Sequence, residues 1–220
     1  MINILVIRNN INEEYNSYTF MDIHNTCINI IQSTDLSKYS LEELSEKYDK
    51  LIILGGKESV IDIYKYPYLF LIINLIHLFN DKNKHILGIC LGCQLLAKTF
   101  GGTIKKLPKM NIRCTKNINI KENEIINIDN QYVLCYHEDY IYDVGNMEII
   151  GKYKNIPYII QKNNNILGVQ YHPDIYIDRF INCVNKNNIS NKEKIISKVQ
   201  DNSNKINNYN REFMKKWILK

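Results

Sequence analysis

Apolar residues gather in short blocks along this chain, and the first four blocks read as strands, the fourth of them short enough to be buried on both faces. Residues 2–8, 50–54 and 86–89 are rich in Ile, Leu and Val, and 27–31 is a further apolar run. Such runs belong to a parallel sheet covered on two sides. Helical patterns lie between them: a weaker one over residues 15–25, a short one over 41–48, and a long apolar one that starts at Pro67 and runs to about Phe79. Proline is tolerated in a first helical turn. After the fourth block Leu95, Leu96 and Phe100 recur at helical spacing with Ala97 among them, and Gly101-Gly102 supplies a stop. Strand and helix in alternation imply an α/β fold with a mostly parallel sheet between helical layers.

Beyond Gly102 the texture changes to strand-like pieces at 117–120, 125–128, 132–136, 147–153, 156–161 and 166–171, with Asn163-Asn164-Asn165 as a hairpin signal between the last two. From Ile175 helical patterns resume, over 179–184 and 210–219. The length of 220 residues, 45% of them hydrophobic, suits one domain with an appendage. We expect the domain over 1–185 and a helical C-terminal extension over 186–220, packed on it or trailing from it.

Charge and cysteine content narrow the classes. The net charge is +5, but residues 186–220 alone hold nine Lys or Arg against three acids. The excess therefore reads as a solvated helical face, and no aromatic-interleaved basic groove points to nucleic acid. The N-terminus has the composition of a first strand rather than a secretory signal, and no apolar run reaches membrane-spanning length. A soluble, cytoplasmic protein with no membrane partner is expected. Apart from Cys90-x-x-Cys93, the spacing of the six cysteines suggests neither a disulfide framework nor a zinc site, and no metal or cofactor is called for.

The candidate chemistry centres on Cys90. It falls where a strand turns into a helix, with Gly88 and Gly92 two residues to either side, the spacing of a strained elbow that pushes a nucleophile out of the sheet. A helix N-terminus beside it favours thiolate and can hold a developing oxyanion. His172 and Asp174, in the order nucleophile, base, orienting carboxylate, can complete a triad. Other readings of the same residues stand beside this one: a small buried hydrophobe at Cys90, a Cys90/Cys93 redox pair, a plain turn at His172-Pro173-Asp174, and a catalytically impaired binding module. Gly55-Gly56 ends the third strand, so the sheet's carboxyl edge gathers both glycines and Cys90 at one crevice.

These blocks together resemble the class I, triad-type glutamine amidotransferases, and among them stand-alone proteins similar to the amidotransferase domain of GMP synthetase. The resemblance rests on Gly55-Gly56 with Ser59, Gly88-Ile-Cys90-Leu-Gly92-Cys-Gln94, Gly101-Gly102, His137-Glu-Asp139 and Gly168-Val-Gln-Tyr-His172-Pro-Asp174. It implies a flavodoxin-like fold and hydrolysis of the side-chain amide of glutamine, or of a related γ-glutamyl amide, through a Cys90 thioester. His172 and Asp174 would complete the triad, the N–H groups of Gly56 and Leu91 would hold the oxyanion, and Gln94, Tyr136, His137 and Asp139 would bind substrate. The ammonia would pass to a separate synthetase subunit, or the chain would act alone on a γ-glutamyl compound. Three positions depart from the family's habit: Asp174 is one methylene shorter than its usual Glu, Lys57 replaces Pro, and Cys93 stands where a small residue or His is commoner.

Overall fold

Alternation along the buried strands decides which layer each side chain joins. The computed structural model describes residues 1–9, 18–116, 118–120 and 131–220. Strands β1 (Ile2–Arg8), β2 (Thr26–Gln32), β3 (Lys50–Ile53) and β4 (His85–Ile89) run parallel in the order β2-β1-β3-β4. Leu5, Ile7, Leu51 and Ile53 point to one face, where α1 (Leu41–Lys47), α2 (Tyr68–Asp81) and α3 (Leu91–Thr99) cover them. Their neighbours Ile4, Val6, Ile52 and Leu54 point to the other face.

The sheet continues through β10 (Ile166–Val169), parallel to β4, and then turns antiparallel through β9 (Ile156–Lys162), β8 (Glu148–Tyr153) and β6 (Ile118–Ile120). Eight strands are thus joined among the described residues. The asparagine hairpin closes β9 onto β10, with Asn163 in the left-handed region at φ 54°. A separate antiparallel ribbon pairs β5 (Thr103–Thr115) with β7 (Val133–Asp143).

The C-terminal helices are α4 (Ile177–Lys186), α5 (Lys192–Asp201) and α6 (Ser203–Leu219). Tyr209, Phe213, Met214, Trp217 and Ile218 of α6 lie in one core with Ile4, Val6 and Ile52, so α6 is the layer over the second face of the sheet. Lys50, buried at the start of β3, donates to the Trp217 carbonyl at 3.1 Å and lies 5.2 Å from the indole ring, which ties down the end of that helix. Helices α4 and α5 cover the ribbon through Phe180, Val184, Ile195 and Val199 against Ile112 and Leu134.

Several local expectations are corrected. Residues 18–25 form turns rather than a helix, held where Thr19 donates to the Pro173 and Asp174 carbonyls. Residues 15–17 and the strand expected over 125–128 lie outside the described residues. The last sheet strand stops at Val169, so His172 and Asp174 stand on a loop of bends rather than on an extended strand. The ribbon strand β5 was not anticipated.

Candidate active site

Strand register brings the crevice together. Ile53 pairs with Gly88, and Gly88 with Gly168, across three adjacent parallel strands. Two residues past that line the chain reaches Gly55 on one strand and Cys90 on the next, with His172 following on the third.

Cys90 is held at φ 52°, ψ −105°, a conformation L side chains rarely adopt, and is 4% exposed. Positive φ in a non-glycine residue persists only when its surroundings over-determine it. Here the Cys90 N–H donates to the Val169 carbonyl at 2.9 Å, while its own carbonyl accepts from the Gln94 N–H at 3.1 Å and starts α3. The turn also needs Gly92, because a Cβ there would collide with the Ile53 carbonyl. No side chain caps α3, which leaves first-turn N–H groups such as that of Leu91 without a capping partner.

Gly55 serves as a ruler for the approach of Cys90 and His172. A Cβ built on it would lie 3.3 Å from the Cys90 Cβ, 2.8 Å from His172 Cε1 and 3.6 Å from His172 Nε2. The sulfur and the imidazole therefore flank one glycine. The other ring nitrogen, Nδ1, is 3.1 Å from Asp174 Oδ1, so the shorter carboxylate does reach it. Burial works to lower the His172 pKa. The Cys90 sulfur and the Asp174 carboxylate, both hydrogen bonded to the ring, outweigh it and hold the imidazole well above its ordinary range. The Cys90 thiol is also directed at the Tyr136 carbonyl, 3.6 Å away.

The group opens into a cavity of about 260 Å³. This lies near the lower end of the roughly 300–1,000 Å³ usual for small-ligand sites, a scale suited to an amino-acid amide. Cys90, Gln94, Tyr136, His137 and Asp139 line it on one side, and Gly56, Lys57, Glu58 and Ser59 on the other. The two expected oxyanion donors are neighbours: a Cβ on Gly56 would lie 2.8 Å from Leu91 Cδ2.

Two expected substrate contacts spend their side chains inside the protein. Gln94 donates to the Asp139 carbonyl at 3.0 Å and to Gln170 Oε1 at 3.2 Å. His137 Nδ1 donates to the Asp139 carbonyl at 2.8 Å, and Nε2 accepts from Asn111 and Tyr158 at 2.7 and 2.8 Å. Burial pushes its pKa down to about 4, so this histidine is neutral. Asp139 accepts from the Ser59 hydroxyl, and burial raises its pKa.

Cys93 faces away from the crevice. It is fully buried, its sulfur 2.8 Å from where a Cβ on Gly168 would sit, and burial raises its pKa well above the usual thiol range. All six cysteines are free thiols. Among the described residues there is no cluster of His, Cys, Asp or Glu able to hold a metal, and no helix long and apolar enough to cross a membrane. Glu58 was missed by the sequence reading. It is 5% exposed at the cavity wall, and its only sequence signal was an acid next to the glycine pair.

A strained cysteine at a strand-to-helix elbow, with a histidine beside it, on a flavodoxin-like sheet, defines a class, and residues 13–191 match the Glutamine amidotransferase class-I family: the chain belongs to it. Among its relatives is a glutamine amidotransferase-like protein of Acanthamoeba polyphaga mimivirus, 39% identical over 130 residues, which are 59% of this chain and 59% of that protein. Another is one subunit of the glutamine-hydrolysing GMP synthase of Methanosphaera stadtmanae, 29% identical over 67% of this chain and 77% of that one. A crystal structure of a glutamine amidotransferase from Thermotoga maritima superposes with a TM-score of 0.80 at 19% identity, covering 100% of this chain and 99% of that one, a likeness of fold.

Proposed function

We propose that the protein hydrolyses the side-chain amide of glutamine through a thioester on Cys90. The observation that carries this reading is the meeting of the Cys90 and His172 side chains at Gly55, with Cys90 in the wall of a small cavity. The Cys90 thiolate adds to the amide carbon, and the oxyanion that forms is met by the N–H groups of Gly56 and Leu91. The protonated His172 then gives its Nε2 proton to the departing nitrogen, and the C–N bond breaks to release ammonia and leave the thioester. Neutral His172 takes a proton from water, the hydroxide displaces sulfur, and glutamate leaves with Cys90 restored as thiolate. Asp174 holds the ring through Nδ1 and steadies the imidazolium.

Gln94, Tyr136, His137 and Asp139 form the substrate wall in this reading, with the Asp139 carbonyl already fixed by two side-chain donors. Residues 1–185 form the amidotransferase domain, and 186–220 its helical cover, supported by the burial of Phe213 and Trp217. The ammonia passes to a separate synthetase subunit, supported by the Methanosphaera relative being named as one subunit of a synthase.

The pure protein incubated with glutamine should release glutamate and ammonia in equal amounts, and Cys90→Ser should abolish the release. Activity that survives Cys90→Ser rejects the assignment. Cys93→Ala should keep the amidase rate. Reduction of insulin that needs both cysteines would transfer the site to redox chemistry, against the buried position of Cys93.

A further inference from the structure

The loop that carries Gly56 leaves the sheet without a ladder to hold it. Strand β3 ends at Ile53, the Leu54 N–H still donates to the Ile7 carbonyl at 3.0 Å, and residues 55–59 form neither strand nor helix. Among the described residues, side chains supply the polar contacts that fix this loop. Asn9 donates to the Leu54 carbonyl at 2.8 Å at its start, and the Tyr68 hydroxyl donates to Glu58 at 2.9 Å from α2. The third contact crosses between walls of the cavity: the Ser59 hydroxyl donates to the Asp139 carboxylate, while its oxygen accepts from the Ile61 N–H at 3.2 Å.

Asp139 is a firm post for that contact. It is 6% exposed, it pairs with Lys106 in the ribbon, and its own carbonyl accepts from His137 at 2.8 Å and Gln94 at 3.0 Å. A hydrogen bond to an ionised acceptor is about twice as strong as one between neutral groups. Ser59 stands three residues beyond Gly56, so this bond ties down the far end of the segment that presents the Gly56 N–H.

We propose that Asp139 and Ser59 are positioning residues for the oxyanion site: the carboxylate grips the Ser59 hydroxyl and so holds the loop with the Gly56 N–H facing the place where the oxyanion forms. The inference rests on the amide-hydrolysis reading, and it gives the Asp139 side chain a role separate from contact with substrate. The two roles differ in their kinetics. An oxyanion exists only as the tetrahedral species forms, so a loosened donor lowers kcat and leaves the affinity for the amide nearly alone. A carboxylate that touched the substrate would be felt in affinity as well.

Ser59→Ala and Asp139→Ala should each lower kcat for glutamine by about 10- to 100-fold, the cost of a catalytic group displaced by up to about 1 Å. Calorimetric affinity for glutamine, read in a Cys90→Ser background, should stay within about threefold in both. Because the two residues act through one bond, the double variant should lose no more than the larger single loss. Ser59→Thr, which keeps the hydroxyl, should recover most of it. Losses that multiply in the double variant overturn the inference, as does an Asp139→Ala protein whose glutamine affinity falls as far as its turnover. A chain that turns over no glutamine removes the hydrolysis reading alone, and nitrogen-15 relaxation of the Gly56 amide then decides. Its order parameter should fall from about 0.85 to below about 0.6 when either residue is alanine. An unchanged value overturns the inference.

Discussion

Gly55→Ala tests whether the imidazole is held against the nucleophile, because one methyl group enters the space between them. Gly55 is not among the positive-φ glycines, so alanine needs no change of backbone conformation. The new Cβ would lie 2.8 Å from His172 Cε1. Carbon atoms pack best at about 3.5–4.0 Å, so the ring must retreat by about 0.7 Å. Cys90 Cβ at 3.3 Å and the strained elbow leave the sulfur little freedom to follow. A displacement near 1 Å in a catalytic pair can cost about 100-fold, so kcat should fall by about 10- to 100-fold. KM should change little, since Gly55 is not part of the cavity wall.

Stability should respond much less. Overpacking costs about 1–3 kcal/mol and is offset in part by the stiffer unfolded chain, worth about 0.4–1 kcal/mol. Gly101→Ala supplies the contrast: nothing lies within 4 Å of its Cβ position, but φ is +90°. That change should cost about 1–3 kcal/mol in strain and leave kcat alone. Steady-state glutamate release and urea melts on both variants decide the matter. A folded Gly55→Ala protein with kcat within twofold of wild type would show that His172 does not work beside Cys90.

Asp174→Asn removes a charged partner 3.1 Å from His172 Nδ1, and the loss of a charge-assisted hydrogen bond of about 1.5–3 kcal/mol corresponds to about 10- to 150-fold in kcat. Because Asp174 helps hold the imidazole pKa above its ordinary range, the alkaline limb of the pH–rate profile should move to lower pH, and an unmoved limb refutes that role. His137 acts on stability instead: its folded pKa is about 4, below an unfolded value near 6.5. The unfolded chain binds the extra proton between those values, so stability present above pH 6.5 should be lost toward pH 4, by about 3 kcal/mol in full. His172, shifted the other way, contributes below pH 6.5 and loses that contribution as pH rises through its raised value. Urea unfolding at pH 7 and 4.5 should show a shallower loss for His137→Asn than for wild type, and an identical loss would remove His137 as its source.

The elbow was legible because its requirements are local. Gly88 and Gly92 mark the close approach in the letters themselves, and a strand followed by helical spacing places Cys90 between them. The buried strands were legible for a similar reason, since Leu51 and Ile52 must both be apolar when they feed different cores. Strand β5 was not, because Lys105, Lys106, Pro108 and Lys109 interrupt any alternation, and all four are exposed to solvent. Glu58 was hidden in the opposite way. Lys57 and Ser59 make it look like part of a polar loop, and only the tertiary fit of Tyr68 and Gly56 buries it. Residues 18–25 misled because their apolar members, Tyr18 and Phe20, serve a turn stacked against itself, ring centroids 5.3 Å apart, rather than a helical face.

The reach of the shorter carboxylate at position 174 is a property of the loop that carries it. One methylene less must be made up by backbone placement, and four hydrogen bonds provide it. The Thr19 hydroxyl donates to the Pro173 carbonyl at 2.6 Å and its N–H to the Asp174 carbonyl at 3.1 Å. From the other side Asn210, fully buried in α6, donates to the Ile175 carbonyl at 3.2 Å. The His172 N–H donates to the Leu134 carbonyl at 2.8 Å and fixes the near end of the loop to the ribbon. The histidine–carboxylate pair is therefore anchored by the N-terminal turn, the ribbon and the C-terminal helix together. That makes α6 part of what positions His172, although no side chain of α6 lines the cavity.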